Sequence, residues 1–283
     1  MLHDEEAAPL PMEDLEPVSP PQGLRRRGLD LMYPIAFIFI LVAAWEAAVV
    51  WFRVQPIILP PPSAVVRAIA DDWWYLLWHT WITGAEVVLG FLASALLGVP
   101  AGILVVWSKT IERTLMPIFV TSQTVPKIAI APLFVIWFGI GLFPKVLVSL
   151  LIAFFPIVIS TSVGLKAVNQ DMLDLIQSMN ASKWQVFQKV RIPNSLPFIF
   201  NGLKIATAFA TVGAVVGEFV GADKGLGYVL IVSNSMLETP RLFATLVPLS
   251  LIGILLYAIV VKLEKVLIPW DVAVRGGERM MSM

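Results

Sequence analysis

Six long apolar runs, separated by short polar segments, dominate this chain: about 33–52, 82–107, 115–138, 145–165, 197–220 and 243–268. Each is near or above the roughly 20 residues that a helix needs to cross the hydrocarbon core of a bilayer. The pattern predicts an all-α, polytopic membrane protein with about six transmembrane helices. The third run is interrupted by Lys127 and by Pro117, Pro126 and Pro132. Helix breakers at membrane depth persist only where other protein or a water-filled cavity satisfies the freed backbone groups. Run three is therefore expected to line a pathway rather than to face lipid.

The polar segments are uneven. Between runs four and five lies a stretch, 166–196, with its own periodicity. Asn169 or Asp171 can cap a short helix whose apolar residues Met172, Leu175, Ile176 and Met179 recur at helical spacing. Asn180 is placed to stop that helix in the left-handed conformation. Ser182, with Gln185 three residues on, forms a capping box that starts a second helix. Trp184, Phe187 and Val190 share one face of it, and Pro193 is expected to block its continuation. The result is a helix–turn–helix elbow with an apolar ridge and a basic rim of Lys183, Lys189 and Arg191. It suits either docking to a partner or lying on a membrane surface. A capped turn in mid-segment favours docking, because an interfacial helix gains nothing from being broken.

Composition narrows the class. The 283 residues are 58% hydrophobic and only 14% charged, with a mean hydropathy of +0.83. A soluble domain of this size needs more charge to wet its surface. Net charge is zero, so nothing argues for nucleic acid. The chain has no cysteine, which removes thiolate metal sites and thiol nucleophiles. His3 and His79 are too far apart for a metal site, and each reads as a solvated or interfacial residue. Residues 1–32 are acidic and Pro-rich at first and read as a disordered tail. Residues 33–270 then form the transmembrane domain and 271–283 a second tail. Arg25, Arg26 and Arg27 precede a first run long enough to span, which reads as an uncleaved first helix.

Orientation follows from the basic residues. With the N-terminus in the cytoplasm, fourteen Lys and Arg fall in inside segments and five outside. This asymmetry fits both termini, the elbow and the two tails on the cytoplasmic side. Seven tryptophans (51, 73, 74, 78, 81, 107 and 270) sit near run ends, as lipid-anchoring residues do. Gly98 and Gly102 share a face of run two; Gly213, Gly217 and Gly221 share a face of run five. Such faces let helix backbones pack closely.

The elbow resembles the cytoplasmic "EAA" loop of ABC importer permeases, whose pattern is Glu-Ala-Ala, three residues, Gly, nine residues, then Ile-x-Leu-Pro. Asp174-Leu175-Ile176, Asn180 and Val190-Arg191-Ile192-Pro193 stand at those positions with matching spacing. Asp keeps the carboxylate and Asn keeps the tolerance for positive φ, whereas Leu175 and Ile176 replace two alanines. The resemblance extends over about 40–270. Leu59-Pro60-Pro61-Pro62-Ser63, Val125-Pro126-Lys127-Ile128-Ala129, Trp137-Phe138-Gly139-Ile140-Gly141 and Gly217-Glu218-Phe219-Val220-Gly221 are similar to segments of the nitrate/taurine/sulfonate group. The Glu-Phe-Val-Gly form and the ending Ile268-Pro269-Trp270 look most like the branch importing riboflavin or pyrimidine precursors of thiamine.

The resemblance implies a type I importer permease working with a second copy, two ABC ATPase subunits and an extracytoplasmic solute-binding protein. It implies that Asp174, Ser178, Met179, Asn180, Ala181, Ser182, Trp184, Phe187 and Pro193 form the ATPase-coupling element. No Gly-x-x-x-x-Gly-Lys-Ser/Thr loop occurs in the sequence. The chain is accordingly expected to bind no cofactor and do no chemistry, with ATP and Mg held by the partner. Four ionisable residues read as intramembrane candidates: Glu46, Glu86, Lys127 and Glu218. Glu46 and Glu86 are expected to snorkel or pair. Lys127 with Pro126, and Glu218 at an outer gate, are the pathway candidates. The alternative, a secondary transporter without an ATPase, usually carries internal repeats, and runs one to three show no obvious likeness to runs four to six.

Overall fold

The computed structural model describes residues 25–270. Its helices are α1 (Arg25–Trp51), α2 (Pro62–Asp71), α3 (Trp73–Trp107), α4 (Lys109–Ser122), α5 (Ala131–Phe138) and α6 (Leu142–Lys166). They continue with α7 (Gln170–Ser178), α8 (Lys183–Val186), α9 (Ile192–Gly221), α10 (Leu226–Ser235) and α11 (Thr239–Leu267). Among the described residues five helices are long and apolar enough to cross a bilayer; α4 and α5, bent by 88° at their junction, pass the same test only when taken together. The six runs read from the sequence are thus α1, α3, α4–α5, α6, α9 and α11. Most of the expected tail at 1–32, and all of 271–283, lie outside the described residues. Arg25 to Met32, by contrast, belong to α1. Hydropathy marks the buried length of a span, not the length of the helix. For the same reason α3 starts nine residues before run two.

The centre of the bundle is α6, with α3 on one side and α9 on the other. Small residues make this possible. A Cβ added at Gly102 would lie 2.6 Å from Thr161 Cβ, and one at Gly217 would lie 2.9 Å from the Lys145 backbone. Gly98 meets Ile157 on the same α3–α6 seam, Gly213 meets Ser149 on the α6–α9 seam, and Gly221 meets Val135 of α5. With no hydrophobic drive between helices in lipid, this close van der Waals contact is the main adhesive. The contacts pair α3 and α6 in parallel and α6 and α9 antiparallel. Val87, Phe91, Ala153, Ile157, Ala206 and Ala210 fill the resulting core.

The chain therefore has two distinct ends. One carries the elbow, which joins α6 to α9. The other carries the 222–225 loop, α10, α2 and the starts of α3 and α11; there Arg241 bridges Asp72 at 2.7 Å. The peripheral α1 touches the rest through Glu46, which accepts from the amide and hydroxyl of Ser63 at 3.0 and 2.8 Å, and through Trp45, whose ring lies 5.7 Å from that of Phe243. Glu46 is thereby paired, as one of the two expectations for it held.

Candidate functional site

The elbow is built from local caps. The Asn169 side chain accepts from the Asp171 amide at 2.9 Å and opens α7. At the other end Asn180 has φ +56. Its amide donates to Gln177 O at 3.0 Å and that of Ala181 to Ile176 O at 3.4 Å. This pair of bonds is the Schellman closure of a helix, with Asn in place of the usual Gly. Ser182 and Gln185 then exchange both bonds of a capping box, at 3.3 and 2.8 Å. The elbow is a preformed rigid body whose helix ends are satisfied from within.

Pro193 does not end the second helix. Residues Phe187–Arg191 form a π turn in which the Ile192 amide reaches Phe187 O, and the chain runs on into α9 with Pro193 in its first turn. The wider turn relieves the clash a proline ring makes with the carbonyl four residues back, so the helix continues through the donor that Pro193 lacks. The elbow is therefore a lever continuous with a spanning helix. Arg191 also donates to Leu165 O at 3.2 Å, tying it to the end of α6.

The expected coupling residues divide into two sets. Leu175, Met179 and Trp184 stand 63, 74 and 57% exposed. Asp174, Ser178, Asn180 and Ser182 are exposed beside them, and Ala181 is half-buried. Together they form a surface ridge. Phe187 is buried instead. Its ring lies 5.1 Å from that of Trp107 and 6.0 Å from that of Trp184. It anchors the elbow to α3, and Leu173 is the corresponding buried residue of α7. Phe187 thus holds the ridge against α3 from beneath.

The opposite end holds a buried polar clasp. Glu86, Lys145 and Glu218 are all buried, from α3, α6 and α9. Lys145 Nζ lies 2.7 Å from Glu86 Oε1. The Thr83 hydroxyl donates to Glu218 Oε1 at 2.7 Å. Three successive amides at the start of α10 are then taken up by side chains. Gly225 donates to His79 Nδ1 at 2.9 Å, Leu226 to Thr83 Oγ1 at 2.7 Å, and Gly227 to Glu218 Oε2. Gly225 (φ +111) must be glycine, since any Cβ there would collide with the Glu218 carboxylate. His79, expected to be solvated or interfacial, is buried and functions as an acceptor. Lys145, the first residue of run four, is buried within α6.

The interrupted run behaves differently from both. After Ser122 the chain makes three i→i+3 turns, Gln123 to Val120, Thr124 to Thr121 and Val125 to Ser122, and then reaches Pro126. Lys127 opens a 3-10 turn (Lys127–Ile130), and its ammonium sits 4.4 Å above the Phe155 ring. Lys127 is half-buried and Pro126 exposed, whereas Glu218 is sealed in the clasp. The pathway candidates therefore occupy two separate places.

Comparisons with known proteins agree on one lineage. The family described as binding-protein-dependent transport system inner membrane component matches residues 94–269. A formylaminopyrimidine transport permease protein, ThiX, of Halalkalibacterium halodurans is 38% identical over 246 residues, which cover 87% of this chain and 98% of that protein. A riboflavin transport system permease protein, RibX, of Chloroflexus aurantiacus is 35% identical over 244 residues, covering 84% and 89%. In fold, the chain is similar to a chain of the MetNI methionine ABC transporter in an inward facing conformation, with a TM-score of 0.60 and 20% identity over 69% of this chain and 97% of that one.

Proposed function

The chain belongs to the inner membrane components of binding-protein-dependent transport systems, and from that premise we propose that its elbow is the contact through which a separate ABC ATPase drives it. It is the multi-pass permease subunit of an ABC importer. The observation that carries the coupling role is the exposed apolar ridge of Leu175, Met179 and Trp184 on a rigid, self-capped body continuous with α9. Apolar side chains presented on a preordered surface lose little entropy on docking. Movement of the elbow would be carried along α9 to the clasp at its far end, because the helix is unbroken from Lys183 to Gly221.

In this reading both termini and the elbow face the cytoplasm, and the clasp lies at the extracytoplasmic end, where a solute-binding protein would deliver its load. A second copy of the permease completes the assembly. Glu218 acts at the outer gate, by holding α10 against α3, and Lys127 with Pro126 marks the path across the membrane. ATP and Mg belong to the partner ATPase. The solute is a small organic molecule. The names of two relatives, a formylaminopyrimidine and a riboflavin permease, support a heterocycle over a sulfonate.

The test is co-purification. Trp184→Glu and Ala181→Glu place a charge on the ridge without touching the buried anchors. Each should abolish co-purification of the ATPase and ATP-dependent uptake, while the permease still inserts in the membrane. An ATPase that co-purifies normally with both variants would remove the coupling assignment.

A further inference from the structure

The elbow encloses a cavity that its ridge does not share. About 870 Å3 of space lies between the elbow and the α3–α4 corner, with Trp107, Leu173 and Phe187 among its walls. From α7 the cavity is lined by Leu173 and Gln177, which are four residues apart on one face. The ridge residues Leu175 and Met179 lie two positions further on, about 200° around the helix, and so face away from it. A partner seated on the ridge leaves this cavity free.

The charges of the cavity have one sign. Lys109 of α4, Lys183 of α8 and Arg191 of the π turn line it, and no acidic residue does. Among the described residues neither lysine ammonium has an ion pair or a hydrogen bond. Glu112, in the first turn of α4, is already engaged by Lys166 at 2.5 Å. Arg191 gives one donor to Leu165 O, and among the described residues the rest of its planar fork is unused. Three such cations beside apolar walls match an anion with several acceptor oxygens.

Depth selects among anions. Trp107 ends α3, a helix long and apolar enough to cross a bilayer, so the cations sit where a span meets the headgroups. Leu97, Leu104 and Trp107 are all exposed and recur at helical spacing, forming an outward apolar stripe of α3 that leads into the cavity. A soluble phosphate or an acidic peptide gains nothing from that stripe, whereas a phospholipid carries both a phosphate and a chain. We propose that the cavity binds an anionic phospholipid, with Lys109, Lys183 and Arg191 on its phosphate and an acyl chain along Leu97, Leu104 and Trp107. The lipid ties the inner face of the elbow to the bilayer while the ridge stays open. The site follows from the membrane fold and does not depend on what docks on the ridge.

Native mass spectrometry of the full-length permease provides the test. The protein, in mild detergent, is given equal amounts of phosphatidylglycerol and phosphatidylcholine with the same chains. It should retain phosphatidylglycerol at about tenfold the level of phosphatidylcholine. The double variant Lys109→Gln/Lys183→Gln alters two exposed side chains, so folding is not at stake, and it should lose that preference. Lys189→Gln/Lys262→Gln removes the same charge from exposed residues outside the cavity and should keep it. A millimolar excess of inorganic phosphate should not displace the lipid. Equal retention of the two lipids, an unchanged preference in Lys109→Gln/Lys183→Gln, or equal loss from both double variants would overturn the proposal. So would displacement by phosphate, which would mean a soluble-anion site. Retention that emerges only after residues 2–22 are removed would make that acidic segment the occupant, and would overturn it too. Because the permease is measured without an ATPase, failure of the coupling assignment would leave these results unchanged.

Discussion

The elbow and the clasp meet the same demand, the unpaired backbone groups at helix ends, in opposite ways. At the elbow every cap is local. Asn169, Asn180, Ser182 and Gln185 close bonds within a few residues of themselves. The outer side chains are thereby left free, and the segment can move as one piece. At the clasp the caps come from other helices. His79 and Thr83 from α3, and Glu218 from α9, hold the amides of Gly225, Leu226 and Gly227. That loop cannot shift without exposing buried acceptors. Local capping makes a part that a partner can grip, and remote capping makes a seal that opens only when helices separate. In the proposed reading the elbow is the part that is gripped and the clasp the part that seals, and α9 connects them.

The contrast predicts unequal sensitivity. The largest effect should come from Lys145→Met, which leaves the buried Glu86 carboxylate without its cation. Removing one partner of a buried pair costs about 3–5 kcal/mol, so the detergent-solubilised protein should melt at a markedly lower temperature. An unchanged melting temperature would mean that the clasp does not hold the bundle. Changes at the elbow should be smaller and confined to it. Ser182→Ala removes a capping-box bond worth about 1 kcal/mol, and should raise hydrogen exchange over 183–186 while leaving the bundle's melting unchanged. Asn180→Gly should be nearly silent, since glycine accepts φ +56 without strain. A large global loss from either variant would erase the distinction between the two ends.

Much of the elbow was legible in the sequence because its determinants are local. The Asn169 cap, the Asn180 reversal and the Ser182–Gln185 box each depend on residues within four positions. The six spans were legible for a related reason: bilayer thickness imposes a length that hydropathy can count. Pro193 misled, because the penalty for a helical proline assumes an α turn, and a π turn upstream was not visible. The clasp was mostly hidden. Lys145 and Glu86 are 59 residues apart and Thr83 and Glu218 135 apart, so only the fold brings them together. One signal was available. His79, Thr83, Glu86 and Gly90 recur at helical spacing on one face of α3, a polar stripe that lipid would not accept.

The central claim, that force enters at the elbow, is tested most directly by cross-linking. Met179→Cys places the only thiol of the chain at the tip of the ridge, and Lys224→Cys places it beside the clasp at the other end. With a short bifunctional thiol reagent on the assembled transporter, the account predicts a covalent adduct between Met179→Cys and the ATPase subunit, and none from Lys224→Cys. An ATPase adduct from Lys224→Cys with none from Met179→Cys would contradict it.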